Sequence, residues 1–261
     1  MSAGYDAATV GVLWRRDLVR FFRQPSRLVG ALAQPVLFWG IIGSGMAATF
    51  RMPGSEEGYL RYFYPGVVLM VVLFAAIFTT LSVIEDRHAG FLQAVLAGPG
   101  SRGAVVVGKV LGSASVALSQ AALFLLLAPA AGFALSSVDW PLLVLALSLA
   151  SVGLAALGFA VAWLVDNVQG YHAIQMTLLV PLWIVSGAMF PRSPDHPVMA
   201  AVMRANPVAY AVSATRRALG GPGAPGTMPG SAGRDLAVLA AFAAVNLALA
   251  ILAARRRGVR S

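Results

Sequence analysis

The chain has no cysteine, few histidines and little charge, and each shortage removes a class of chemistry. Without Cys there are no disulfides, no thiolate metal sites and no cysteine nucleophile. The three histidines stand at 88, 172 and 196, and no two have the spacing that puts metal ligands on one helix face, which argues against a metal-dependent hydrolase. No Gly-x-Ser-x-Gly segment occurs, so the nucleophile elbow of α/β-hydrolases is missing. Charged residues make up 11% of 261 positions and hydrophobic residues 59%. Globular domains carry roughly 25% charge. A soluble fold of this length needs a charged shell that this composition cannot build, and the apolar content is too high for a solvated coil. The 27 glycines show no three-residue period, which excludes a collagen-like chain. The solvent that fits is lipid.

The few charges are placed with a pattern. Long charge-free stretches separate Arg27 from Arg51, Arg61 from Glu85, Lys109 from Asp139, Asp139 from Asp166, Asp166 from Arg192 and Asp235 from Arg255. A helix needs about 20 apolar residues to cross a hydrocarbon core of about 30 Å, so each stretch spans once and none spans twice. Barrel strands would alternate in segments of about ten residues, and these runs are continuous. The fold class read from this is an all-α integral membrane protein with six transmembrane helices. Residues 1–27 form an N-terminal segment, 28–254 the transmembrane domain and 255–261 a basic tail.

Lys and Arg set the orientation. With six spans, Arg15, Arg16, Arg20, Arg23, Arg27, Arg87, Arg102, Lys109 and the tail arginines 255, 256, 257 and 260 fall on one side, twelve in all, against seven on the other. Both termini are therefore expected in the cytoplasm, the chain being a multi-pass protein of the cell membrane. The net charge of +9 is then a membrane-surface feature drawn to anionic lipid, and nucleic acid is a poor reading of it. The basic flank before the first span and that span's apolar length exceed a cleavable signal, so the span is expected to be retained.

Before the first span, Val10, Leu13, Trp14, Leu18, Phe21 and Phe22 recur at helical spacing, opposite Arg16, Arg20, Arg23 and Arg27. This predicts an amphipathic helix at the interface with its arginines on phosphates, turned toward the bilayer by Pro25. Spans follow at roughly 28–48, 63–84, 110–135, 142–165, the stretch after Asp166, and the stretch after Asp235. Gly108-x-x-x-Gly112 offers a close-packing face. Gly103-x-x-x-x-Gly108-Lys109 has the look of a phosphate loop, but Val110 lacks the hydroxyl that would hold a metal and no strand precedes it. A lysine that snorkels to lipid phosphate is the expectation there.

Two connections exceed plain turns. In the loop 85–109, Phe91, Leu92, Val95 and Leu96 make one apolar face, ended by Pro99-Gly100. A short helix with such a face in the cytoplasm wants a partner. The connection 191–233 can form two short amphipathic helices and then a Gly/Pro-rich stretch, 220–233, expected to be mobile. The spans carry neutral polar groups and no charge, which argues against an ion-coupled carrier.

Three motifs now carry a family resemblance. Glu85-Asp86-Arg87-x-x-Gly90-x-Leu92, followed by Leu96, Pro99, Arg102 and Gly108-Lys109, is similar to the first cytoplasmic loop of ABC-2-type exporter permeases. Ser186-Gly187-Ala188-Met189-Phe190-Pro191 resembles that family's end of span five. Asn206-Pro207-Val208-Ala209-Tyr210 with a following Arg216 resembles its "Asn-Pro-x-x-Tyr" segment. Gln93 departs from a more usual acidic residue, and Ser213 stands where an Asp often follows the Tyr.

The resemblance implies a permease without catalytic residues, bound metal or cofactor of its own, with ATP and Mg on a separate ABC ATP-binding subunit. It also implies pairing with a second copy or a related permease. The coupling site it implies is Glu85, Asp86, Arg87, His88, Gly90, Phe91, Leu92, Leu96 and Arg102, with Phe91, Leu92 and Leu96 entering a cleft of the ATPase. Spans one, two and five would line the path, nominating Phe38, Trp39, Phe78, Thr79, Gln175 and Trp183. An outer gate would use Ser186, Gly187, Phe190, Pro191, Asn206, Pro207, Tyr210 and Arg216. The cargo implied is bulky and amphipathic: lipid-like, a drug or a polysaccharide. The alternatives are a membrane-embedded lipid-modifying enzyme or scaffold, and a secondary carrier.

Overall fold

The computed structural model describes residues 2–47, 58–191 and 197–256. The loop carrying Arg51, Glu56 and Glu57, the segment with Arg192 and His196, and tail residues 257–261 lie outside the described residues. Those described form eleven α-helices and no strand. They are α1 (Ser2–Phe22), α2 (Pro25–Ala47), α3 (Tyr59–Thr79), α4 (Ser82–His88), α5 (Phe91–Leu96), α6 (Arg102–Leu125), α7 (Trp140–Leu164), α8 (Val168–Trp183), α9 (Pro197–Ala205), α10 (Pro207–Gly220) and α11 (Ala232–Arg256).

Six helical stretches are long and apolar enough to cross a membrane, one in each charge-free stretch: α2, α3 with α4, α6, α7, α8 with the turn after it, and α11. The third span differs most from expectation. Its helix starts at Arg102, where the Ser101 hydroxyl caps by accepting from the Ala104 N–H, so residues 102–109 are helix. It ends at Leu125 and gives way to 3-10 turns at 128–131 and 135–137, because Pro129 has no N–H and Gly132 takes a left-handed φ of 87°.

The α3 helix is the hub. It is apolar on all sides and buried along nearly its whole length, from Tyr59 to Ile77, as expected of a helix surrounded by others. It stops at Thr79–Thr80 because both hydroxyls donate back to carbonyls of their own helix, Ala75 and Ile77, and Tyr171 bonds Thr80 from α8. The chain then turns into α4 and, across Gly90 at φ 73°, into α5. By contrast α2 leaves Val29, Leu37 and Ile41 facing outward.

The α1 helix lies against α6, and its contacts climb α6 in register. Thr9 sits by Gly100, Val10 and Leu13 by Gly108, Asp17 by Gly112, and Trp14 donates its indole N–H to Ser115. A Cβ at Gly108 or Gly112 would lie 3.0 Å from the Cβ of Leu13 or of Asp17. The Gly108-x-x-x-Gly112 face is therefore filled within the chain, by its own N-terminal helix. Close backbone approach is what small residues at this spacing allow.

Candidate functional site

At the end of the bundle formed by α1, α4 and α5, charges from three helices meet away from solvent. Lys109 of α6 has a side chain only 1% exposed, and its ammonium donates to Asp17 of α1 at 3.0 Å, to Asp86 of α4 and to the Ser82 hydroxyl. The second face of Asp86 takes a two-bond fork from Arg16, both at 2.7 Å. Two cations thus balance two carboxylates, the condition under which buried charge persists. Burial raises the Asp17 carboxyl above its ordinary range, opposed by Lys109, and the bond to Asp86 raises Arg16. Arg20 pairs with Glu85 at 2.8 Å in a more exposed position.

This geometry corrects two expectations. Lys109 does not snorkel to lipid but is enclosed by carboxylates. Arg16 and Arg20 turn to Asp86 and Glu85 and not to phosphate. Arg87 reaches the far end of α7, donating to the carbonyls of Ala162, Trp163 and Val165 and to Asp166, and His88 bonds the Asp166 carbonyl. Arg102 caps the end of α11 through the carbonyls of Ala254 and Arg255. The charged residues nominated for coupling therefore brace α4 against α1, α6 and α7, or α6 against α11.

The apolar face of α5 is also largely used within the chain. Leu92 is 1% exposed, Leu96 is half-buried, and the Phe91 ring lies 3.8 Å from the Arg16 guanidinium. What α5 turns outward is Gln93 and Ala94, with Gln93 donating to the Arg87 carbonyl. Gly90 supplies the left-handed residue that lets α4 and α5 form an elbow.

At the opposite end α8 breaks. The helix continues through Pro181 and unwinds in a wide turn at 184–188, where Gly187 takes a φ of 81°. Several carbonyls around the break find side-chain donors. Leu182 accepts from Asn206, Trp183 from Ser186, Gly187 from Tyr62 and Arg216, and Met189 from Tyr59. Asn206 also caps α10 by accepting from the Val208 N–H, with Pro207 in the first turn, and Tyr210 donates to the Arg204 carbonyl. Four of the residues nominated for the outer gate, Ser186, Gly187, Asn206 and Arg216, thus gather at the break, while Pro207 and Tyr210 shape the start of α10. Phe190 is exposed and Pro191 half-buried at the edge of the break.

Arg216 is 3% exposed, lies 4.0 Å over the Tyr62 ring, and donates to Gly187 at 2.8 Å and to Gly226 at 2.7 Å. Arg217 donates to the carbonyls of Pro222, Met228 and Gly230 and pairs with Asp235 at 3.1 Å. Ser213 donates to Asp235 and accepts the Met228 N–H. The Gly/Pro-rich stretch expected to be mobile is therefore pinned at four carbonyls by two adjacent arginines. At the position where a carboxylate is more usual, Ser213 instead touches the carboxylate of Asp235.

The six nominated path residues do not form one surface. Phe38 packs between Phe63 and Trp183, Trp39 donates to the Leu60 carbonyl, and Trp183 donates to that of Gly66. Gln175 is buried along α8. Phe78 and Thr79 line a cavity of about 310 Å³ between α2, α3, α6 and α8.

Two residues at the heart of these networks were not singled out from sequence. Asp17 interrupts the apolar stripe Leu13, Asp17, Phe21 at four-residue spacing, and Asp235 begins the buried stripe Asp235, Leu239, Ala243. A carboxylate on an otherwise apolar stripe is the signal that would have found both.

Six helices long and apolar enough to cross a membrane, a buried charge cluster at one end and a broken, re-braced helix at the other define a polytopic membrane protein. The chain belongs to the ABC-2 type transporter family, whose model matches residues 9–219. It is 29% identical over 226 residues, 82% of this chain and 76% of the relative, to the daunorubicin resistance ABC transporter permease protein DrrB1 of Streptomyces coeruleorubidus. It is 26% identical over 215 residues, 79% of either chain, to nodulation protein J of Sinorhizobium fredii. To the protein named "Putative transport permease ycf38" of Cyanophora paradoxa it is 33% identical over 89 residues, 34% of this chain and 31% of that protein.

Proposed function

We propose that the chain is the membrane permease of an ATP-driven exporter, with ATP and Mg held on a separate ATP-binding subunit that docks against the α4–α5 elbow and the adjoining face of α1. In this reading both termini and the elbow are cytoplasmic, in keeping with the basic flanks. A second copy, or a related permease, completes the path. The observation that carries the reading is the cluster of Asp86, Lys109, Asp17 and Arg16, which ties elbow, α1 and α6 into one block. A displacement of the elbow then moves α1 and α6 with it, as rigid-body switching requires.

Because Leu92 is enclosed and Phe91 lies beneath Arg16, the contact for the ATPase consists of the outward edge of α5, at Gln93 and Ala94, together with the exposed Arg15 and Arg23 of α1. Glu85, Asp86, Arg87, His88 and Arg102 hold that edge in place. Phe78 and Thr79 belong to the cargo path, and Ser186, Asn206, Tyr210 and Arg216 to its outer closure. The name of the daunorubicin-resistance relative supports a drug-like amphipathic cargo.

The test is recovery of the partner. A tagged chain purified from its native host should bring down ATP-hydrolysing activity. Ala94→Trp should cut the recovered activity at least tenfold while leaving the unfolding temperature unchanged. Export that proceeds without ATP hydrolysis would overturn the reading.

A further inference from the structure

Where Arg216 meets the broken end of α8, four parts of the chain enclose a small pocket: Arg61 and Tyr62 of α3, Phe133 of the turns after α6, Arg216 of α10, and Ala224 and Pro225 of the Gly/Pro-rich stretch. Its volume of about 20 Å³ is room for one water-sized particle, for which about 10–15 Å³ suffices. Two guanidiniums line it and, among the described residues, no carboxylate does. Arg61 lies over the Phe133 ring at 4.8 Å, and Arg216 over the Tyr62 ring at 4.0 Å. Arg216 is the informative member. It is buried, yet the groups it donates to are backbone carbonyls, which carry a dipole and no net charge. Asp235 and Asp139, two carboxylates of this end, are engaged elsewhere, the first by Arg217 and Ser213 and the second by the Leu142 N–H that it caps. The enclosed Nε–H of Arg216 has no hydrogen-bond partner among the described residues. Burial pulls its guanidinium below the ordinary value, the direction expected of a cation enclosed without a counter-charge. At the α5 end, by contrast, each buried cation faces a carboxylate.

The geometry points to a binding site for one monatomic anion of the size of chloride, held between Arg61 and Arg216, with the Arg216 Nε–H as a donor. A buried cation without a counter-charge is costly, and an anion beside it removes that cost. Two guanidiniums repel a metal ion or an ammonium group. The tetrahedral oxyanions sulfate and phosphate exceed the space. A water fills the same volume and accepts from Nε, but leaves the charge unanswered. Because Ala224 and Pro225 form one wall, an occupied site ties the stretch 220–233 to α3 and α10. The ion is then a clasp on the connection between the fifth and sixth spans. The inference needs neither ATP nor a partner subunit.

The test reads how often the stretch lifts. Met228 is buried within it, so Met228→Cys, in a chain with no other cysteine, reacts with a thiol reagent only when the stretch opens. In phosphatidylcholine nanodiscs at fixed ionic strength, replacing sodium gluconate by sodium chloride should slow that reaction saturably, about tenfold at ten times the half-effect concentration. Bromide should act as chloride does, and sulfate should not. Gly4→Cys, exposed on α1, should react alike in chloride and gluconate. Ala224→Val, which fills the pocket, should remove the chloride dependence at Met228→Cys. If that variant lifts the stretch by itself, the unfolding temperature of the unaltered chain decides, and it should rise along the same titration with the same half-point. A rate and an unfolding temperature indifferent to chloride overturn the proposal, as a water in the pocket would produce. So does a slowing that sulfate matches, that Gly4→Cys shares, or that persists in full in Ala224→Val.

Discussion

The two ends of the bundle solve the same problem, buried cations, in opposite ways. Near α5, Lys109 and Arg16 answer side-chain carboxylates, Asp17 and Asp86, contributed by other helices. Near α10, Arg216 and Arg217 answer mostly backbone carbonyls, at Gly187, Gly226, Pro222, Met228 and Gly230. The first arrangement reads particular residues and fails when one is lost. The second reads mainly the path of the chain, with Asp235 and Tyr62 anchoring the two arginines, which is why a stretch made of Gly and Pro, with few side chains of its own to pack, is held in one shape.

The largest expected effect comes from breaking the charge balance at the α5 end. Lys109→Met leaves Asp17 and Asp86 facing each other, one without a cation, and removing one partner of a buried ion pair costs about 3–5 kcal/mol. The unfolding temperature in detergent should fall sharply, and adding Asp17→Asn to Lys109→Met should restore most of it. A double variant no better than the single would show that the cluster is not a charge-balanced unit.

At the other end, Arg216→Met strands the carbonyl of Gly226, leaves that of Gly187 to Tyr62 alone, and should cost about 1.5–3 kcal/mol, the range for hydrogen bonds to a charged group. Its distinctive sign is local. Gly223→Cys, introduced where a Cβ meets nothing and into a chain with no other cysteine, should react with a thiol reagent faster in the Arg216→Met background. Replacing Ala224 or Pro225 by Ser, which leaves the gripped carbonyls in place, should change that rate little.

Packing between the ends of the comparison is probed by Gly108→Val, which drives a branched side chain against Leu13 and the Val10 carbonyl. Overpacking of this kind costs about 1–3 kcal/mol and should loosen α1, seen as a red shift of tryptophan emission as Trp14 loses Ser115. Smallest of all is Glu85→Gln. The Arg20–Glu85 pair is more than a third exposed on both sides, and such pairs are worth about 0–1 kcal/mol. A large effect there would move the centre of the cluster outward, from Lys109 to Glu85.

The spans were legible because scarcity of charge is a long-range signal: every charge-free stretch holds one crossing helix, and hydropathy needs no partner to be read. The outer motifs were legible as separate segments, Ser186 to Pro191 and Asn206 to Arg216, but not as one network, since only the unwinding at Gly187 brings them together. The destinations of charged side chains were hidden for a similar reason. Lys109 lies at the edge of an apolar run, and whether such a lysine meets lipid phosphate or a carboxylate depends on which helix lies beside it. Gly108 and Gly112 announced a close neighbour without saying that it was α1. The elbow was visible as an apolar face on α5, but its burial beneath Arg16 required α1 to be in place.

The charge cluster also has an order in time. Asp17 is synthesised first, Asp86 after the second span has been made, and Lys109 only as the third begins. Until that lysine arrives Arg16 can shield Asp86, but Asp17 has no cation beyond its neighbour, 3.8 Å away, and its place beside Gly112 does not yet exist. The N-terminal helix can fasten early to α4 and α5 through Arg16 and Arg20, but it gains its seat on α6 only after more than a third of the polypeptide has been made. Its docking then reports that the third span has entered in the correct direction, since an inverted span would carry Lys109 to the far side of the bilayer and leave the carboxylate unanswered.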